Sequence, residues 1–191
     1  MSTRDDLLAA LTSGDDSRAE AACASLAQLG DETILPALRD LLSSPDVDSR
    51  WWAVRALASL PTLDPGLLIP SLADASPEVR QCAALGLSHH PSEAATQPLV
   101  RALSDADSLT AELAAQALIA IGSPAVESLL EVLSTGQQSA RIHAMHVLAE
   151  IADARAVRPM IESMSEDSIM LHYWAERGLE RLGVNMVYMK P

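Results

Sequence analysis

The chain has 191 residues, 49% hydrophobic but only 3% aromatic and without Phe, so its core must come from Leu, Ala, Ile, Val and Met, which suits helix-on-helix packing better than strands. Its net charge of −13 excludes DNA, RNA and anionic membranes as default partners. Four aspartates within the first sixteen residues exclude a secretory leader, no stretch approaches the ~20 apolar residues of a membrane span, and two widely spaced cysteines, Cys23 and Cys82, make no disulfide framework, so a cytoplasmic location is expected.

Alanines at 22, 53, 83, 114, 144 and 175 are spaced 31, 30, 31, 30 and 31 residues apart. They define six copies of one unit, at about 4–31, 32–62, 63–92, 93–123, 124–153 and 154–183, with 184–191 left over. Each copy reads as two amphipathic helices, A then B. In the first copy Leu7 and Leu11 mark helix A, and Ala22, Leu26 and Leu29 mark one face of helix B. The second has Leu38 and Leu42, the turn Ser44-Pro45-Asp46, then Ala53, Leu57 and Leu60. In the third, Pro70 falls between Leu68 and Leu72 and should break or delay helix A. Ser76 there reads as an N-cap, with Pro77 at the first helical position. Ala83, Leu87 and His90 follow, and His90 alone breaks the apolar columns. The fourth copy shows Leu99, Leu103, Ala114, Leu118 and Ile121; the fifth Leu129, Leu133, Ala144, Leu148 and Ile151; the sixth Met160, Met164, Ala175, Leu179 and Leu182.

Three residues after each alanine stand Ser25, Ala56, Gly86, Ala117, Val147 and Gly178. Five of these are very small, so this column predicts close helix approach, with Gly86 and Gly178 as packing residues. Gly30, Gly122 and Gly183, in the links from B to the next A, suit left-handed helix termini. Turns this short make A and B antiparallel neighbours. One hairpin cannot bury its own apolar face, but stacked hairpins can. The expectation is therefore a single all-α domain, an α-solenoid of six two-helix repeats spanning on the order of 60 Å.

Ser76-Pro-Glu-Val-Arg-Gln-Cys-Ala-Ala-Leu-Gly-Leu87 resembles the HEAT-like repeats of the phycobilisome-lyase type, as do Ala95-Thr-Gln-Pro-Leu-Val-Arg-Ala-Leu103 and Ala156-Val-Arg-Pro-Met-Ile-Glu-Ser-Met164. The resemblance runs from about Arg4 to Gly183 and implies fold more than function. The family's Arg is kept at Arg50, Arg80 and Arg141 and replaced by Ala19, Ala111 and His172. The three arginines are expected to bond carbonyls or an Asp of the A–B turn, such as Asp46, or a neighbouring repeat's carboxylate. Residues 184–191 fall outside the repeat and read as a short extended cap on the last one, the alternative being a partner-docking tail.

In this architecture the B helices line the concave face. Offsets 0, +3, +4 and +7 from each alanine are expected to pack inward, leaving −2, −1, +2 and +6 toward the groove. Those four columns hold all three tryptophans, one of two tyrosines, and three Arg balanced by three Glu. The candidate partner-binding residues are Trp51, Trp52, Arg55, Leu85, Gln116, Ile142, His143, His146, Tyr173, Trp174, Arg177 and Arg181, a composition typical of interface hot spots. Of these, Trp52 and Trp174, with Leu113, are equally well read as half-buried packing residues. His143, His146 and Glu150 share one helical face, with His89 or His172 able to approach from adjacent repeats, but one helix supplies only part of a ligand set; no metal or cofactor is expected. Layer counting puts Cys23 and Cys82 roughly 20 Å apart, too far to bridge.

No nucleophile–base pair or phosphate loop stands out, so the expected function is non-enzymatic: a scaffold or interaction module whose groove holds a protein or peptide. The resemblance offers an alternative, a bilin lyase-like or chromophore-chaperone subunit. A HEAT-like DNA glycosylase fits less well, because such enzymes need a basic surface. Iron-dependent hydroxylases with HEAT-like repeats use His-Glu pairs, and this chain has none.

Overall fold

The structure, a computed structural model, describes residues 4–29 and 32–184. Helix follows helix along the chain: α1 (Arg4–Leu11), α2 (Asp16–Leu29), α3 (Leu35–Leu42), α4 (Val47–Ala58), α5 (Pro77–His89), α6 (Thr96–Ala102), α7 (Ser108–Ile121), α8 (Val126–Thr135), α9 (Gln138–Ile151), α10 (Val157–Ser163) and α11 (Ile169–Arg181). This is the all-α solenoid of six hairpins that the repeat predicts. The link 30–31 and residues 185–191, all but the first of the 184–191 segment expected as a cap, lie outside the described residues. Among the described residues no single helix is long and apolar enough to cross a membrane.

The chain divides between His90 and Pro91 into two compact units. The N-terminal unit stacks the hairpins α1–α2 and α3–α4, then a third whose first arm is not an α-helix. Pro70 does more than delay that arm. It leaves two short 3-10 segments, Pro65–Leu67 and Ile69–Ala73, since a proline inside a helix removes a donor and clashes with the preceding turn. The C-terminal unit stacks α6–α7, α8–α9 and α10–α11.

The columns at the start of the pattern are buried throughout. Ala22, Ala53, Ala83, Ala114, Ala144 and Ala175 are buried, as are Leu26, Leu57, Leu87, Leu118, Leu148 and Leu179, and Leu7, Leu38, Leu68, Leu99, Leu129 and Met160 on the A side. The +7 column departs from the expectation. Only Leu60 is buried; Leu29 is 50% exposed, and His90, Ile121, Ile151 and Leu182 are half-buried. These residues sit in or just beyond the last turn of each B helix, past the cover of helix A. Leu42 and Met164, at the ends of their A helices, are half-buried for the same reason.

Local chemistry fixes the turns. Asp46 and Asp107 cap α4 and α7, accepting from the amides of Ser49 and Thr110 at 2.8 Å and from the same residues' hydroxyls. Ser76 holds the N-cap position before Pro77, but its hydroxyl donates to Glu78 at 2.6 Å instead of capping. The arginine ladder forms as expected, and its carboxylates come from the following hairpin. Arg50 makes two hydrogen bonds to Asp74, at 2.8 and 2.9 Å, and Arg141 bonds Glu166 at 2.6 Å; Arg50 and Arg80 also donate to turn carbonyls, and Arg141 to the Leu133 carbonyl in the last turn of α8. Arg50 holds the Asp74 carboxyl below its ordinary range.

Gly86 and Gly178 are packing residues. A Cβ at Gly86 would lie 2.7 Å from Leu68 Cδ1 and 2.9 Å from Ala58 Cβ; one at Gly178 would lie 2.6 Å from Met160 Cε and 3.0 Å from Ala149 Cα. Gly122 and Gly183 take positive φ, +75° and +72°. At the same column the fifth hairpin carries Ala152, a left-handed residue that is not glycine, at φ 55°, ψ 47°.

Candidate functional site

In each unit the middle B helix touches both of its B neighbours, so the B helices form a continuous layer. In the N-terminal unit that layer is α2, α4 and α5. Trp51 is half-buried and meets Trp52 edge-on, with ring centroids 4.7 Å apart at 88°. Trp52 is only 8% exposed. At offset −1 it is turned into the packed layer, so this candidate is a core residue that props Trp51 and offers a partner no surface of its own. Arg55 donates to Glu20 of α2 at 2.6 Å and to Ser59 at 2.9 Å. Leu85 stands 43% exposed on α5.

Cys23 and Cys82 are both free and buried. Cys23 sits one residue after its alanine and Cys82 one before, so from α2 and α5 both face α4, and both feel Arg55 of that helix. Burial pushes the thiols up, to about 11 for Cys23 and about 12 for Cys82, which leaves them protonated and unreactive at neutral pH.

In the C-terminal unit α9 lies between α7 and α11. His146 of α9 stacks on Trp174 of α11, with centroids 4.0 Å apart at 23°. Tyr173 meets the same indole edge-on at 5.0 Å and is itself 48% exposed. The Arg177 guanidinium carbon lies 6.0 Å from the Trp174 ring centroid, within cation–π range. Arg181 donates to the Glu150 carboxylate at 2.5 Å and to its carbonyl at 3.1 Å, while Arg177 stands 3.6 Å from the same carboxylate. Ile142 and His143 are half-buried on α9, and Gln116 is exposed on α7. Burial pushes the His146 imidazole below its ordinary pKa, against the pull of Glu112 and Glu150. A neutral ring is thereby kept against the indole near neutral pH.

The structure therefore gathers His146, Tyr173, Trp174, Arg177 and Arg181 into one cluster, while in the N-terminal unit Trp51 meets Trp52 and Arg55 meets Glu20. The groove arginines pair first with glutamates of their own chain. Column arithmetic puts Arg and Glu on one face without saying that they meet; the 31-residue interval from Glu150 to Arg181, one repeat, is the signal that predicts it. That same pairing occupies Glu150. Among the described residues no group of three or more His, Cys, Asp or Glu could hold a metal ion.

Cavities lie on the other side of the hairpins. One of about 230 Å³ lies between α6 and α8, one of about 330 Å³ between α8 and α10, and one of about 320 Å³ between α1 and α3. They are open clefts between successive A helices, and none includes a candidate residue.

A model of HEAT repeats matches residues 4–66 and 65–139. The chain belongs to the HEAT repeat family. No curated protein matches it. Among solved structures, the archaeal HEAT-like repeats protein of Thermococcus onnurineus superposes with a TM-score of 0.65, at 14% identity, over 95% of this chain and 81% of that one. The CpcE–CpcF complex of phycocyanin lyase from Nostoc gives 0.55 at 20% identity, over 96% and 78%. A designed armadillo repeat protein in complex with the peptide (KR)4 gives 0.55 at 19%, over 95% and 100%. At these identities the shared property is the fold. Within this HEAT repeat protein, the aromatic cluster of α9 and α11 lies beyond residue 139, outside the matched segments.

Proposed function

We propose that this HEAT repeat protein is a non-enzymatic interaction module that holds a segment of a partner protein on the B-helix face of its C-terminal unit. One observation carries the reading. Tyr173 is nearly half exposed yet fixed edge-on against Trp174, which is in turn stacked on His146. A large ring already held in place loses little freedom on binding, and such rings supply much of the energy of protein interfaces. Arg177, half exposed beside the same indole, offers donors for a carboxylate or carbonyl of the partner. The peptide-bound armadillo neighbour lends the idea support by analogy of fold. For the bilin-lyase reading, nothing beyond fold speaks.

The test is retention of a partner from cell extract by the tagged chain. Tyr173→Ala is expected to lose the partner with an unchanged melting temperature, because the ring is on the surface. Tyr173→Phe, which keeps the ring, is expected to retain it. A set of partners that Tyr173→Ala leaves intact refutes the proposal.

A further inference from the structure

The residue six before the alanine opens every B helix, and the next stands five before it. Both columns face solvent along the array. Asp16, Val47, Ser108 and Gln138 are exposed at the first, and Ser17, Asp48, Leu109 and Ser139 at the second. Exposure there belongs to the column and does not depend on whether another hairpin follows. What changes is the residue. The sixth hairpin carries Ile169 and Met170, and no other hairpin has an apolar side chain in both columns. These two are 86% and 45% exposed. The first turn of a helix gains from acidic or capping side chains, so helix stability does not account for them.

Ile169, Tyr173, Arg177 and Arg181 stand four residues apart and form one row along α11. Met170 flanks the row, four residues before Trp174. The row runs from apolar to cationic, and Ile169 to Arg177 spans about 12 Å of helix.

The cationic end has capacity to spare. Arg181 takes the Glu150 carboxylate. Arg177 stands 3.6 Å from that carboxylate, beyond hydrogen-bond reach, and among the described residues it makes no hydrogen bond. Its guanidinium lies beside the Trp174 ring with its N–H donors open to solvent. Two guanidiniums thus share one carboxylate. Glu112 stands on α7, with α9 between it and α11. By helical periodicity Glu176 and Glu180 flank the other edge of the row, so a carboxylate entering here is steered to the Trp174 side.

We propose, building on the interaction module described above, that the partner segment held on α11 is apolar with one acidic residue. An apolar side chain seats on Ile169, Met170 and Tyr173, and a carboxylate about 6–12 Å further along the row takes the Arg177 guanidinium. The planar fork of arginine suits a carboxylate in two parallel hydrogen bonds. A basic segment would set its own cation against Arg177. The net charge of −13 repels a run of acidic residues, so the carboxylate is a single one set among apolar side chains.

The test pans random peptides displayed on phage against the tagged chain at physiological salt. Ile169, Tyr173 and Arg177 are exposed, and circular dichroism checks that Ile169→Ser, Tyr173→Ala and Arg177→Glu are folded. The expected clones are held by wild type, are lost on Tyr173→Ala and on Ile169→Ser, and carry one Asp or Glu within a few residues of a large apolar residue. A synthetic peptide from the leading clone, followed by fluorescence anisotropy, is expected to bind Arg177→Glu roughly tenfold more weakly. Panning on Arg177→Glu is expected to select Lys or Arg in place of the acid. Clones that need Tyr173 but carry no acidic residue, or a peptide indifferent to Arg177→Glu, overturn this proposal and leave the interaction module standing. Clones indifferent to Tyr173→Ala overturn the module and this proposal with it. A peptide that binds only a chain shortened to residue 184 assigns the surface to this chain's own last residues. A wild-type dimer that Ile169→Ser dissociates assigns it to a second copy. Either result overturns the proposal.

Discussion

Gly178→Ala tests how closely the two helices of the aromatic cluster must approach. The added Cβ would lie 2.6 Å from Met160 Cε, 2.8 Å from Met160 Sδ and 3.0 Å from Ala149 Cα. The methionine can swing away, because its thioether end is flexible. The Ala149 Cα is backbone of α9, so α11 must retreat by several tenths of an ångström. Overpacking of this kind costs about 1–3 kcal/mol, and the gain in helix propensity from Gly to Ala returns about 1 kcal/mol. The net expectation is a loss of about 1 kcal/mol, or roughly 4–8 °C in Tm if the C-terminal unit melts by itself. The same retreat pulls Trp174 from His146, whose rings are now 4.0 Å apart, so the near-ultraviolet dichroism of tryptophan should fall as well. Calorimetry and dichroism read both effects. A variant that melts higher than wild type, as propensity alone requires, refutes the close-approach argument.

Two further predictions concern the frame. Ala152→Gly should stabilise: an L-residue at φ 55° costs about 1–2 kcal/mol, while glycine's looser unfolded chain returns about 0.4–1 kcal/mol of that, so Tm should rise by roughly 2–4 °C; a fall would show that the alanine methyl packs usefully. Asp74→Asn should lower the melting temperature at neutral pH and flatten its acid dependence. Arg50 depresses the folded pKa of Asp74, so the unfolded chain binds the proton more readily; the stabilisation is present above the ordinary carboxylate pKa of about 4 and is lost as pH falls toward the folded value. Melting curves of wild type and variant should converge in acid, and a constant gap between them would discount the ion pair.

Much of the fold could be read directly because each repeat re-measures the same geometry. An apolar residue at one position proves little, but Ala and Leu held four residues apart through six copies require a helix with one buried face. The arginine ladder was legible for the same reason, although not the donor of each carboxylate: Asp46 is close to Arg50 in sequence, yet Asp74, 24 residues on, takes its two bonds. Where the repeat is broken, prediction weakened. Pro70 announces trouble in the third hairpin, but not that its first arm would be wholly 3-10. Ala152 gives no warning of its left-handed backbone, because alanine carries a Cβ that disfavours that region and so is not a residue the sequence assigns to it.

The site was legible as a direction and not as a depth. Offsets from the alanine say which way a side chain leaves its helix; how far it is covered depends on what the neighbouring helix brings to meet it. The −1 column makes the point. Ala21 is exposed, Trp52 is buried, and Leu113, His143 and Trp174 are half-buried, although all leave their helices at the same angle. Trp174 stays half exposed because the residue that meets it is His146, a flat ring lying parallel to the indole, and the resulting stack holds Tyr173 at the surface. The exposure of Tyr173 thus depends on a pair contributed by two helices 28 residues apart in sequence, and on Gly178, which lets those helices come close enough for the rings to touch.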